Sequence, residues 1–248
     1  MAKKKVFKLF NKRQPIYKPF RPIMRLFFKK PQVINLAGDI EDKSIIVANH
    51  SNKSGPPSLD LYFPKKTAKW GAYQMFGNYQ SRKAYLRDIL YIQKCGKKPG
   101  FKTSLVSSIL AVLNPMIYKG MWMMPSYPDS RLRQQIKDSS KVIDANIPVM
   151  IFPENSNSGY KDVLSEFFPG FVMLATAYYR QTGVDLPIYP TYYSVKKRIL
   201  VIDKPLYVQE MVNEGLDINQ IAQRYCDAVN KLFFEYVKDA PEKPKKKQ

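Results

Sequence analysis

Three side chains of this sequence are of types that move protons, and they stand where a chain could present them together. His50 is the only histidine among 248 residues. It follows the apolar run 44–48, "SIIVA", and opens the loop "NHSNKSGPPS". Asp60 lies beyond that loop, with nine residues intervening, among them Gly55, Pro56 and Pro57. An imidazole can take a proton from an attacking hydroxyl near neutral pH. A carboxylate on its other ring nitrogen would fix the tautomer and stabilise the imidazolium. If a substrate hydroxyl is the nucleophile, such a pair is enough to move an acyl group. The plainer readings are an incidental histidine and an aspartate that caps a helix.

The second loop, "VMIFPENSNSGY", repeats the design: a buried strand opens into polar residues, with Glu154 directly after the turn. A strand end is a rigid platform, and side chains just beyond it reach the crevice at a sheet edge. The elements around these loops read as alternating strands and helices. Strands are expected at 44–48, at 147–152, "IPVMIF", and within "LPIYPTYYSV" and "RILVIDKPLYV". A continuous apolar strand such as 147–152 belongs in a sheet covered on both faces.

A helix starts near Asp129 or Ser130, with Leu132, Ile136, Val142 and Ile143 on its buried side. Residues 163–180 read as helical after Pro169-Gly170. The last helix is capped by Asp217, with Gln220 reaching back. Ile218, Ile221, Ala222, Tyr225, Val229, Leu232 and Tyr236 recur along it at helical spacing. The stretch "YLRDILYIQK" fits a short strand or a helix. Residues 104–124 are the most apolar; they read as a buried helix interrupted at Pro115 and followed by a strand, or as a face for acyl chains or membrane. The apolar part before Pro115 is too short for a complete transmembrane span. Together these alternations specify one α/β domain with a mostly parallel or mixed central sheet flanked by helices.

Apolar residues make up 45% of the chain, enough for a real core, and the formal charge is +21. Such a charge implies anionic company: lipid, nucleic acid or an acidic protein. The first 30 residues hold eleven Lys or Arg and no acidic residue, interleaved with bulky apolar side chains. This basic arm has no uninterrupted apolar core, so it is neither a signal peptide nor a span. It suits lying in a membrane interface, packing on the domain, or binding nucleic acid. The expected division is an arm over 1–35, a domain over 36–238 and a basic, fraying tail over 239–248. Cys95 and Cys226 are too few for a disulfide scaffold or a structural metal site. No G-x-S-x-G elbow, P-loop or G-x-G-x-x-G is present.

Read together, the loops resemble those of the glycerophosphate and lysophospholipid (PlsC-like) acyltransferase superfamily. Asn49-His50 resembles its histidine motif, and Phe152-Pro153-Glu154 its glutamate motif. Phe167, Gly170, Leu174 and Ala175 resemble the segment after it, and "LPIYP", 186–190, its late proline motif. The order agrees over roughly residues 40–210. The resemblance implies O-acyl transfer from coenzyme A or an acyl-carrier protein to a hydroxyl of a lysophospholipid or related glycerolipid. It implies His50 as general base, Asp60 as its orienting partner and Glu154 as organiser of the acceptor. It implies no metal and no redox cofactor, and a peripheral place at the cytoplasmic face of the cell membrane, on anionic lipid.

The chain also departs from the pattern. The family's aspartate follows its histidine after four intervening residues. Where the family continues Pro-Glu with an arginine-bearing segment, this chain has Asn155-Ser156-Asn157-Ser158. Lys53, Arg131 and Lys161, in that order, are the candidates for the missing acceptor-binding charge, with Asn155 beside them. The rival readings are a noncatalytic peripheral membrane protein and a nucleic-acid binder that stacks bases on the 17 tyrosines and 14 phenylalanines. No single-strand or helix-turn-helix signature supports specific nucleic-acid recognition.

Overall fold

The computed structural model describes residues 14–243, so the first part of the basic arm and the last part of the tail lie outside the described residues. Strand β1 (Gln32–Asn35) is followed by β2 (Ile45–Ala48), β3 (Ala68–Ala72), β4 (Met123–Ser126), β5 (Val149–Ile151), β6 (Ile188–Ser194) and β7 (Ile199–Ile202). They form one sheet in the order β1-β7-β6-β2-β5-β3-β4. Every pairing is parallel except β6 with β7. The α/β expectation holds. Strand β1 belongs to this sheet, so the arm drawn to residue 35 takes in one strand of the domain.

The strand sequences explain the layering. In β2, Ile45 and Val47 enter one apolar cluster, and Ile46 and Ala48 enter another. Successive side chains of a strand point to opposite faces, so a run apolar at every position must be covered twice. One cover is built from helices Leu132–Asp144, Gly170–Thr182 and Ile218–Leu232. Ile218–Leu232 carries the expected Asp217–Gln220 capping box and buries Ile221, Ala222, Tyr225, Cys226, Val229 and Leu232.

We label the helices in chain order: α1 (Gln14–Phe27), α2 (Gly55–Tyr62), α3 (Tyr79–Ala84), α4 (Phe101–Gly120), α5 (Leu132–Asp144), α6 (Gly170–Thr182), α7 (Val208–Asn213) and α8 (Ile218–Leu232). A π-helical stretch, Tyr85–Lys94, continues α3. This is the segment "YLRDILYIQK". Wide turns of this kind are rare and concentrate at functional sites.

Helix α4 corrects two expectations. It runs through Pro115 without interruption. Proline removes the bond that residue 115 would donate to the carbonyl of residue 111. Here Nε of Arg82 donates to that carbonyl of Ala111 over 2.8 Å, so the acceptor stays satisfied. Nor is the helix buried all round. Phe101, Leu105, Ile109 and Val112 are exposed along one side, with Phe101 83% exposed. By length and composition α4 is apolar enough to cross a membrane, although a proline before its last turns argued otherwise.

Helix α1 packs against α4. Tyr17 and Met24 are buried with Leu61, Met121 and Met123, while Ile23, Leu26 and Phe27 face outward. The approach is close: a Cβ on Gly120 would stand 2.0 Å from the Tyr17 ring. Glycine at position 120 is therefore what admits the tyrosine.

Candidate active site

The two loops meet because their strands are neighbours. β2 and β5 run parallel, with Val47 opposite Ile151. Their carboxyl ends therefore lie at one edge of the sheet, where open α/β sheets hold ligands. His50 leaves the end of β2, and Glu154 leaves the end of β5.

The histidine loop is fixed on three sides. The Asn49 side chain exchanges two hydrogen bonds with the backbone of Tyr193, at 3.0 and 2.7 Å. The His50 amide donates to Oε2 of Glu154 over 2.8 Å. The Val195 amide donates to the Ser51 hydroxyl over 2.9 Å. Ser51 and Asn52 have φ of 41° and 64°. Two consecutive non-glycine residues in the left-handed region are uncommon, and they persist only where surrounding contacts hold them.

Glu154 is buried, and burial raises its pKa. The His50 amide, the Lys94 ammonium and the Lys161 backbone oppose that rise. An isolated bridge to Phe167 holds its backbone. Its carboxylate thus joins the two loops.

The His50 ring lies against Phe152, 4.9 Å between centroids, and Tyr160, at 5.2 Å. Its Nδ1 is buried and has no hydrogen-bond partner among the described residues. Burial lowers its pKa to about 3, and the Lys94 ammonium adds to the depression, against a small opposing effect of the Asn52 backbone. The imidazole is neutral across the physiological range.

Asp60 does not reach it. One carboxylate oxygen accepts from Lys66 and from Lys69, each at 3.0 Å, and the other from the Tyr17 hydroxyl at 2.7 Å. The Asp60 and Lys69 side chains are almost fully buried. The two lysines and Tyr17 outweigh burial and hold the carboxyl well below the usual range. The His50–Asp60 dyad expected from sequence is not formed, because α2 carries Asp60 into a buried charge cluster beneath α1. After four intervening residues the chain instead reaches Gly55, where a Cβ would stand 1.9 Å from the His50 carbonyl oxygen. Only glycine fits, so that position cannot carry a carboxylate.

The proposed cationic residues separate too. Arg131 is paired with Asp129 at 2.6 Å and stacked on Tyr73 and Tyr127, 4.7 and 4.3 Å to the ring centroids. Its charge is spent locally. Lys161 is exposed, and its backbone rather than its ammonium serves Glu154. The Asn155 side chain donates to Glu166 and accepts from the Asn157 amide, shaping the turn. Lys53 does lie near the site, with its ammonium 4.6 Å from the Tyr91 ring centroid.

Sequence reasoning missed Lys94. It ends the π-helical stretch and donates to the Ser156 hydroxyl over 2.7 Å, with the Tyr160 ring centroid at 5.9 Å. No motif marks it. The extra residue per turn of a π-helix changes which side chains share a face, and sequence periodicity offered no sign of that.

In its sheet order and parallel centre the fold is similar to the PlsC-type acyltransferase fold. Among solved structures, the 1-acyl-sn-glycerophosphate (LPA) acyltransferase PlsC from Thermotoga maritima is similar to this chain, with a TM-score of 0.54 and 14% identity. The match covers 93% of this chain and 83% of that one. No protein-family model matches the sequence, and no curated protein does.

Proposed function

We propose that the protein is a peripheral membrane O-acyltransferase. It moves a fatty acyl group from an acyl-coenzyme A or acyl-carrier protein thioester to a hydroxyl of a lysophospholipid or related glycerolipid. The observation that carries this reading is the 2.8 Å bond that ties the one histidine of the chain to Glu154 at the sheet's carboxyl edge. The acceptor hydroxyl attacks the thioester carbonyl, and the His50 imidazole takes its proton. The new C–O bond forms, the C–S bond breaks, and the departing thiolate recovers the proton from the imidazolium. That step requires neither a metal nor a redox cofactor. Glu154 positions His50 through its amide.

The outward faces of α1 and α4 support the membrane part. Ile23, Leu26, Phe27, Phe101, Leu105, Ile109 and Val112 are exposed on two helices that pack together. Exposed Lys18, Arg25, Lys97, Lys98 and Lys102 lie on or beside them. Apolar side chains with flanking cations fit an anionic bilayer surface, and we place the protein at the cytoplasmic face of the cell membrane.

One observation favours a second reading, a noncatalytic lipid-binding relative: among the described residues no carboxylate bonds Nδ1 of His50. Thiol release from acyl-coenzyme A and acyl-carrier donors, measured with a panel of lysolipids and anionic vesicles, separates the two. Acceptor-dependent release that His50→Ala abolishes while staying folded supports acyl transfer. Vesicle binding without release by either protein supports the second reading.

A further inference from the structure

Two aromatic rings from the glutamate loop lie against the His50 imidazole. The Phe152 ring is tilted by 39° to it, with 4.9 Å between centroids, and the Tyr160 ring by 42°, with 5.2 Å. Phe152 leaves the end of β5 and packs on the apolar cluster that holds Ile46, Ala48 and Tyr193. Tyr160 follows a turn in which the Gly159 amide donates to the Ser156 carbonyl over 3.1 Å. Lys94 holds that turn through the Ser156 hydroxyl and stands 5.9 Å from the Tyr160 ring centroid. The charged groups nearby give the imidazole no support. Asp60 is engaged in its buried cluster, and Glu154 bonds the His50 amide. Among the described residues Nδ1 has no hydrogen-bond partner. Burial and the Lys94 ammonium both disfavour a positive charge on the ring, and the Asn52 backbone opposes them.

We propose that Phe152 and Tyr160 are positioning residues for His50, and that their ring faces stabilise the imidazolium formed when it takes the acceptor's proton. A carboxylate on Nδ1 would otherwise hold the ring and balance its charge. An imidazolium is a flat cation, and the face of an aromatic ring is negative. A cation within about 6 Å of a ring centroid is attracted to it, most strongly where water is excluded. Both rings lie inside that distance. Their attraction is small for the neutral imidazole and grows as the proton arrives, so it acts on the step and not on the resting state. The reaction named here rests on the acyltransferase reading; the contact between the imidazole and the two rings does not.

The test replaces Phe152 in the full chain by phenylalanines carrying one, two and three ring fluorines. Fluorine draws electron density from the ring face and barely changes its shape, so the attraction for a cation falls stepwise while packing is kept. Two readouts are taken. One is kcat for acyl transfer. The other needs no turnover: exchange of the imidazole C2 hydrogen passes through the imidazolium, so at neutral pH its rate follows how readily the ring takes a proton. The chain has a single histidine, so the signal belongs to His50. Both quantities should fall together along the series, by about tenfold at three fluorines, the scale of a desolvated cation–π contact. Tyr160→Leu should lower both to a similar extent, and Tyr160→Phe, which keeps the ring, should hold both within a few-fold of wild type. Three fluorines on Phe234, exposed just beyond α8, should change neither.

A Tyr160→Phe variant that falls as far as Tyr160→Leu would overturn the role of the Tyr160 ring, because its hydroxyl would then carry the effect. The fluorinated series is decisive even where Tyr160→Leu fails to fold. If no donor and acceptor pair reacts but C2 exchange still follows the fluorine count, the acyltransferase reading falls and the contact with the imidazolium stands. If acyl transfer proceeds and kcat does not follow the count, the proposal falls and the reading stands.

Discussion

The His50 amide donates to Oε2 of Glu154 across 104 residues of sequence, and this 2.8 Å bond joins the two loops at the sheet edge. Glu154 is buried, so removing its carboxylate leaves a backbone donor with no water to replace it. Glu154→Ala is expected to cost about 1–3 kcal/mol, the usual penalty for an orphaned buried donor. Glu154→Gln keeps an acceptor and should cost less. Denaturant unfolding reads the difference, and faster hydrogen exchange at the His50 amide locates it.

Asp60 belongs to the architecture. Asp60→Ala would strand Lys69 as an unpaired buried charge and should destabilise the protein by roughly 3–5 kcal/mol. Its native carboxyl titrates below the unfolded value of 3.8, so its stabilisation is present above that pH and is lost as pH falls through the native pKa. Tyr17→Phe removes only the hydroxyl bond and should cost about 1 kcal/mol. It should also loosen α1, measured as faster exchange confined to that helix. If the residual folded fraction of Asp60→Asn shows normal turnover per molecule, the charge-relay role is excluded.

His50 has the opposite acid–base relation. Its native pKa is lowered from 6.5 to about 3, so between those values the unfolded chain binds a proton that the native protein does not. Stability should rise with pH across this window, by at most about 1.4 kcal/mol per pH unit. His50→Gln should flatten the slope between pH 4.5 and 6.5, a range above the titration of Asp60. An unchanged slope in that variant would show the imidazole to be freely protonated.

The exposed side of α4 should govern partition onto anionic vesicles. Replacing Leu105, Ile109 or Val112 by Ser removes a half-exposed apolar side chain, worth about 1 kcal/mol or roughly a fivefold weaker partition each. Thermal stability should change little, because none of the three is in the core. Vesicle sedimentation should also weaken as salt rises, since the flanking lysines are exposed. Equal binding by the triple variant would remove α4 from the membrane face.

Much of the fold could be read from local pattern. The runs "IIVA" and "VMI" are apolar at every position, so each had to be a strand covered on both faces, and Asp217 with Gln220 fixed the start of α8. The place of the two candidate loops was also legible, because polar residues directly after a buried strand end can only lie at the sheet edge. Those properties depend on residues a few positions apart. The choice of partners did not. Asp60 has the right chemistry for His50, yet α2 turns it toward Lys66, Lys69 and Tyr17. Arg131 carries the right charge, but Asp129 neutralises it. Lys94, which no motif marked, reaches the site because a π-helical stretch and the loop after β5 pack together. Sequence determined which side chains were available and which elements carry them. Only the tertiary structure decided which met, because a buried charge takes the partner that packing brings within hydrogen-bond distance, whatever the spacing along the chain.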